Sequence, residues 1–157
     1  MLNSTALDHT WIAAHIPHHG TMCLLNSVQA WDQVRIQCDA VSHRDPANPL
    51  RAHGRLGAVC GIEYAAQAMA IHGALQAGPA LSCPRVGYLV SVRSATLYTA
   101  RLDDIAADLL IETSCVTASA NNILYEFNIS AAGQLLLAGR AAVVLDAAAL
   151  HITGASS

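Results

Sequence analysis

The chain contains no lysine, so all eight of its basic side chains are arginine. Charged residues of either sign make up only 12% of the 157 positions, and the formal net charge is −3. No basic run occurs, which removes the electrostatic footprint of a nucleic-acid-binding protein. The uniform use of arginine reads as genome composition rather than mechanism. Metal and redox motifs are missing as well. Cys23, Cys38, Cys60, Cys83 and Cys115 form no CxxC pair and no metal-ligand spacing. An odd, unpatterned set, three of them in apolar surroundings where cysteine packs as a small hydrophobe, points to a reducing compartment, hence a cytoplasmic setting. The opening MLNSTALDHT has neither a basic n-region nor an apolar h-region, so it does not read as a signal peptide. The one long apolar run, 57–77, is interrupted by Glu63, Gln67, His72 and three glycines, which argues against a membrane span.

What is present is apolar. Such residues make up 54% of the chain, and the mean hydropathy is +0.37. So few charges on a chain of this size imply that much of its surface is hidden, in a large core or in an oligomer interface. The length suits one domain. Its core is expected over about 8–146, with a loose tail at 147–157.

The run 57–77 (GAVCGIEYAAQAMAIHGALQA) is the longest helix-compatible stretch. It is apolar on nearly every face, so most of it is expected to be buried. Glu63 and Gln67 lie four residues apart and therefore share a face. A carboxylate there is costly unless it is paired or has a task. Gly78 and Pro79 supply the stop.

Around this helix the pattern is mostly strand. A short helix is expected at 8–16, capped by Asp8 and stopped by Pro17. A turn at 17–22 leads to a strand at 23–31, a hairpin turn at Asp32 and Gln33, and an alternating strand at 34–42. Residues 43–56 hold two prolines, three arginines and two histidines and read as a functional loop. Strands follow at 85–99, 107–118, 122–130 and 134–145. The reading is an α+β domain, one long buried helix wrapped by a curved antiparallel sheet of about five to six strands. An open sheet edge with so little charge predicts an edge-to-edge or helix-to-helix homodimer.

Three motifs in this order carry a resemblance. Gly61-Ile62-Glu63-Tyr64-Ala65-Ala66-Gln67-Ala68 resembles the E-x-x-x-Q helix of 3-hydroxyacyl-ACP dehydratases of the FabZ and FabA type. Pro17-His18-His19-Gly20-Thr21-Met22-Cys23-Leu24-Leu25 resembles their P-H-R-x-P-F-L-L segment. Together with S-H-R-D-P-x-N-P-L at 42–50, the pattern is most similar to the ApeP-type dehydratases associated with aryl polyene pathways. The resemblance spans roughly 12–146. It implies a hot-dog fold, a second hot-dog subunit or a second copy as partner, and a substrate carried on the phosphopantetheine of an acyl carrier protein, with no cofactor of the protein's own. One departure stands out. The FabZ and FabA dehydratases carry a catalytic histidine in a G-H-F-P loop 14 residues before the helix acid. Here that place holds Pro49, within Asn48-Pro49-Leu50.

Dehydration of a 3-hydroxyacyl thioester needs a base for the proton α to the carbonyl, an acid for the leaving hydroxyl, and N–H donors for the carbonyl oxygen. The resemblance implies Glu63 as the acid, about two turns inside the helix, with Gln67 holding its carboxyl. His53 in the flexible loop and His18 in the turn before the first strand are equal candidates for the base, and His43 is a third. Asn48 is placed to orient a water or the hydroxyl. Gly57 and Ala58 are candidate oxyanion donors at the helix start, and Arg51 and Arg55 candidate contacts for the carrier's phosphate or acidic residues. Asp103 and Asp104 read as a solvated turn. Two rival functions stay open: a hot-dog thioesterase in which Glu63 activates water, and a catalytically degenerate partner of another hot-dog subunit.

Overall fold

A computed structural model describes residues 7–16, 20–77, 87–119 and 122–145. The expected helix stop at Gly78 and Pro79, the start of the expected strand at 85–86 and the tail at 147–157 lie outside them. Helix α1 (His9–His15) begins as the sequence implies: the Asp8 carboxylate accepts the Trp11 N–H at 2.9 Å, a side-chain N-cap. Its Ile12, together with Ile16 just beyond, enters the core.

Six strands form one antiparallel sheet: β1 (Ser27–Trp31), β2 (Arg35–Ala40), β3 (Gly87–Leu97), β4 (Leu109–Ala118), β5 (Asn122–Ala131) and β6 (Gln134–Leu145), in spatial order β1-β2-β4-β5-β6-β3. The alternation read from the sequence is real. Ile36, Cys38 and Ala40 of β2 and Ile123, Tyr125, Phe127 and Ile129 of β5 are buried, facing the long helix. The β1–β2 turn is held by Asp32, whose carboxylate accepts the N–H groups of Val34 (2.7 Å) and Arg35 (2.9 Å). These bonds hold its carboxyl below the usual range.

Several strand ends shift by one to two residues, and two larger differences from expectation have a physical reason. The first strand begins at Ser27 rather than 23. Cys23, Leu24 and Leu25 are buried, but side chains replace the ladder there: Gln67 takes the Leu24 N–H and Ser42 donates to the Leu24 carbonyl. The central helix α2 (Gly61–Ala77) begins after a 3-10 turn at Ala58–Cys60. The residues before it are drawn into a bridge with 100–102, where Ala58 N–H donates to the Ala100 carbonyl (3.0 Å) and Leu102 N–H to the Leu56 carbonyl (2.8 Å).

Helix α2 packs against β2, β4 and β5. Its Tyr64, Ala65, Ala68, Met69 and Ile71 are buried. At its first residue the approach is close: a Cβ on Gly61 would stand 2.8 Å from Leu137 Cδ2 and 3.2 Å from Ile129 Cδ1. Further along, His72 is fully buried and satisfied at both ring nitrogens, by the Tyr125 hydroxyl (2.9 Å) and the Asp32 carbonyl (2.7 Å). Among the described residues no helix is long and apolar enough to cross a membrane.

Candidate active site

Because α2 starts at Gly61, Glu63 stands in its first turn, not two turns inside, and is half-buried in the single chain. That is the positive end of the helix dipole. The residues around Glu63 are organised by two polar links.

The first link runs through Gln67, one turn on and fully buried. Its side-chain oxygen accepts the Leu24 N–H (2.9 Å) and its nitrogen donates to the Met22 carbonyl (2.7 Å). These bonds fasten the segment 22–24 to the glutamate's face of α2. The second link is a directional chain. Asn48 Nδ2 donates to the Tyr64 hydroxyl (3.0 Å), Tyr64 to Ser42 Oγ (2.8 Å), and Ser42 to the Leu24 carbonyl (2.7 Å). Since the Ser42 proton is spent on Leu24, the Tyr64 hydroxyl must be the donor to Ser42. Burial pushes the Tyr64 hydroxyl up, against its bonds with Ser42 and Asn48. Asn48 also donates to the Ser42 carbonyl (2.9 Å) and accepts the Leu50 N–H (2.9 Å). An amide so engaged acts first as a brace for its loop. A cleft of about 280 Å³ lies against this network, lined by Thr21, Leu24, Ser42, Asp45 and Asn48 with His9 at its edge.

The loop 43–56 is ordered by its own contacts. His53 (φ 53°) and Gly54 (φ 75°) form a two-residue turn closed by Ala52 and Arg55, each bonding the other's backbone. His53 is exposed at that turn. His43 is fully buried and donates from Nε2 to the carbonyls of Ile105 (3.1 Å) and Ala107 (3.0 Å). Burial drives its pKa down, partly countered by those two bonds. Its Nδ1 has no partner. His18 lies outside the described residues.

Arg51 is not held out toward a ligand. It donates to the carbonyls of Asp45 (2.9 Å), Gly54 (3.4 Å) and His43 (3.4 Å) and stands 4.0 Å from Asp103. Arg55 is exposed. Asp103 is the opposite of the solvated residue expected. Its side chain is only 6% exposed, and it accepts the Leu56 N–H (2.9 Å) and pairs with Arg101 through both oxygens. The Arg101 bonds, then the Leu56 N–H, hold its carboxyl well below the usual range. Of the two candidate oxyanion amides, Ala58 N–H is committed to Ala100, while Gly57 N–H stays outside that bridge. A Cβ on Gly57 would meet nothing within 4 Å, so the space beside its Cα is open; its N–H reaches the Cys60 thiol, lowering that thiol's pKa against the larger upward push of burial. Among the described residues no cluster of His, Cys, Asp and Glu has the makings of a metal site.

A family profile described as ApeP-like, ApeP dehydratase, matches residues 10–151. The chain belongs to the ApeP-like dehydratase family. It is a dehydratase-type hot-dog protein. Similar solved structures agree on the fold. A chain of the dehydratase heterocomplex ApeI:P from Xenorhabdus doucetiae superposes with a TM-score of 0.76 at 21% identity, over 85% of this chain and 90% of that one. A thioesterase from Haemophilus influenzae gives 0.56 at 11% identity, over 85% and 80%. A mutant thioesterase from Pseudomonas aeruginosa gives 0.58 at 10%, over 78% and 81%. No curated protein matches the sequence significantly.

The family's helix motif thus has a physical reading in this chain. Glu63 is presented at a helix start, and Gln67 ties down the segment that follows Pro17-His18-His19. The sequence reading missed Tyr64, Ser42 and Asp103. For Tyr64 a signal existed, since a tyrosine inside an otherwise apolar helix needs a partner for its hydroxyl. For Asp103 none did, because an Asp-Asp pair in a turn has the same local pattern whether solvated or buried.

Proposed function

We propose that this chain is a 3-hydroxyacyl-ACP dehydratase subunit that works with a second hot-dog subunit. The observation that carries the reading is Glu63 in the first turn of α2, with Gln67 fastening the segment 22–24 beside it. In this reaction a base takes the proton α to the thioester carbonyl, the C3 hydroxyl departs with a proton from Glu63, and the enoyl thioester and water leave. Gly57 N–H receives the charge that builds on the thioester oxygen. His43 and His72 are fully buried, and their rings hold backbone and tyrosine partners. Of the three candidate bases, His18, His53 and His43, that leaves His18 and His53. The tether from Gln67 to Met22, four positions after His18, favours His18.

The ApeI:P structure is a heterocomplex of dehydratases, which supports a second hot-dog chain as partner here. That subunit also offers a source for the histidine missing at Pro49. The substrate is an acyl chain on the phosphopantetheine of a carrier protein, with exposed Arg55 the contact for its phosphate or acidic surface and Arg51 behind it. No cofactor is needed for this chemistry. The thiols of Cys23, Cys38, Cys60 and Cys115 are free, which supports a reducing, cytoplasmic setting.

The test is enoyl absorbance from a 3-hydroxyacyl thioester, with this chain alone and with a hot-dog partner, comparing wild type with Glu63→Gln. The variant should keep its fold and lose dehydration; undiminished turnover would sink the proposal. Release of free thiol without enoyl product would mark a thioesterase instead.

A further inference from the structure

We infer that Asp103 is a positioning residue of the dehydratase site, holding the loop 43–56 and the entry to α2 in register so that Gly57 N–H points to the substrate. The role of Gly57 rests on the function proposed above; the placement by Asp103 does not. One carboxylate, its side chain 6% exposed, meets three residues of two segments. It accepts the Leu56 N–H at 2.9 Å, directly before Gly57. It pairs with Arg101, the residue bridged to Gly57. It stands 4.0 Å from Arg51, which reaches back to the carbonyls of Asp45, Gly54 and His43. Asp103 thus touches the end of the loop directly and its start through Arg51.

The geometry at Gly57 follows from this. Leu56 and Ala58 are both bonded toward the 100–103 segment, by Asp103, Leu102 and Ala100. In an antiparallel bridge the residue between two inward-bonded neighbours turns its own N–H outward. Gly57 is that residue, and its carbonyl is spent on the Cys60 N–H at 3.0 Å, which begins the 3-10 turn. The open space where a Cβ would stand lets a substrate approach. Asp104 offers a built-in control. It lies on the same turn, its side chain is 59% exposed, and it reaches only Arg101, at 3.8 Å.

The experiment compares Asp103→Asn, Asp103→Glu and Asp104→Asn with wild type, each in complex with the hot-dog partner. Asparagine keeps an acceptor for Leu56 N–H but loses the charge that holds Arg51 and Arg101. For dehydration of a 3-hydroxyacyl thioester, Asp103→Asn should lower kcat about 10- to 100-fold, the scale of a sub-ångström to 1 Å misplacement, with KM within about twofold. Asp103→Glu should recover part of the loss, and Asp104→Asn should match wild type. Hydrogen exchange at the amides of Leu56 and Ala58, which needs no activity, should quicken in Asp103→Asn while the core of α2 stays protected. A merely structural role would lower the melting temperature and the folded fraction together, without splitting kcat from KM. Unchanged exchange at Leu56 and Ala58, or an unchanged kcat in an active complex, overturns the inference. A wild-type complex that never dehydrates overturns the function proposed above, and the exchange result still decides the placement.

Discussion

The side-chain oxygen of Gln67 accepts the N–H of Leu24 at 2.9 Å, across 43 residues of sequence. The same amide donates to the Met22 carbonyl at 2.7 Å. Two motifs that look independent in the sequence, the E-x-x-x-Q helix and the segment leading to the first strand, are therefore one physical unit. The link also explains why residues 23–25 are buried without being strand: a helix side chain supplies the bonds that a neighbouring strand would.

That relationship makes Gln67 expensive to replace. Gln67→Leu fits the volume but orphans two backbone groups in the interior. Each such group costs about 1–3 kcal/mol, so a loss of about 2–4 kcal/mol is expected in urea unfolding. Gln67→Glu retains an acceptor for Leu24 and loses the donor to Met22, and should fall between leucine and wild type. A leucine variant as stable as wild type would mean that these bonds contribute nothing net.

Gly61→Ala tests the close approach of α2 to the sheet. Alanine gains about 1 kcal/mol of helix propensity over glycine. Against that, its Cβ would stand 2.8 Å from Leu137 Cδ2 and 3.0 Å from Cδ1. Overpacking of a filled core costs about 1–3 kcal/mol. The contacts are the ends of a leucine side chain rather than backbone, so partial relief is available and the net loss should be about 1 kcal/mol. Because Glu63 lies two residues on, dehydratase turnover should fall more than stability does. Pairing with Leu137→Val should restore both. A stabilised Gly61→Ala with full turnover would refute the packing argument.

The sequence carried the architecture well where periodicity speaks. The alternation of Ile36, Cys38 and Ala40 and of Ile123, Tyr125, Phe127 and Ile129 reports a surface buried on one side, and the run to Ala77 reports a helix buried on most sides. It failed where side chains substitute for backbone pairing. Nothing local at Leu24 announces that Gln67 will take its N–H. Nothing at Asp103 announces that Arg101, Arg51 and Leu56 will converge on it. The helix start was misread because Gly57 and Ala58 are compatible with a helix, and only the distant 100–102 segment draws them into a bridge. Glu63, Gln67 and the rewritten loop at Asn48-Pro49 were legible because the family motif spans them; their contacts were not.

The chain from Asn48 through Tyr64 and Ser42 to Leu24 should behave as a cooperative unit. Tyr64→Phe removes only the hydroxyl, and the loss of two buried bonds predicts a destabilisation of about 1–2 kcal/mol. Asn48→Ala should cost more, since it also frees the Ser42 carbonyl and the Leu50 N–H. In a double-mutant cycle the two changes should sum to less than their separate costs, by about 0.5–1.5 kcal/mol, because they share one bond. Strict additivity would show that the hydroxyl and the amide act independently.

The last prediction concerns acid. His72 and His43 are both fully buried, and burial pushes both imidazoles below the usual histidine range, against the opposing effect of their backbone partners. A histidine with a depressed folded-state pKa binds fewer protons folded than unfolded once the pH drops below its ordinary value of about 6.5. Stability is therefore complete above that pH and declines as the pH falls toward the folded-state values. The slope is at most about 1.4 kcal/mol per pH unit for each ring. Urea midpoints measured from pH 7.5 down to pH 5 should fall in wild type. His72→Gln loses packing and the bonds to Tyr125 and Asp32, so it should be weaker at pH 7.5 by a fixed amount. Its decline below about pH 6.5 should be shallower, because one of the two buried rings is gone. Curves for wild type and variant that run parallel through this window would show that His72 takes up its proton equally in both states, and would remove it from the acid response.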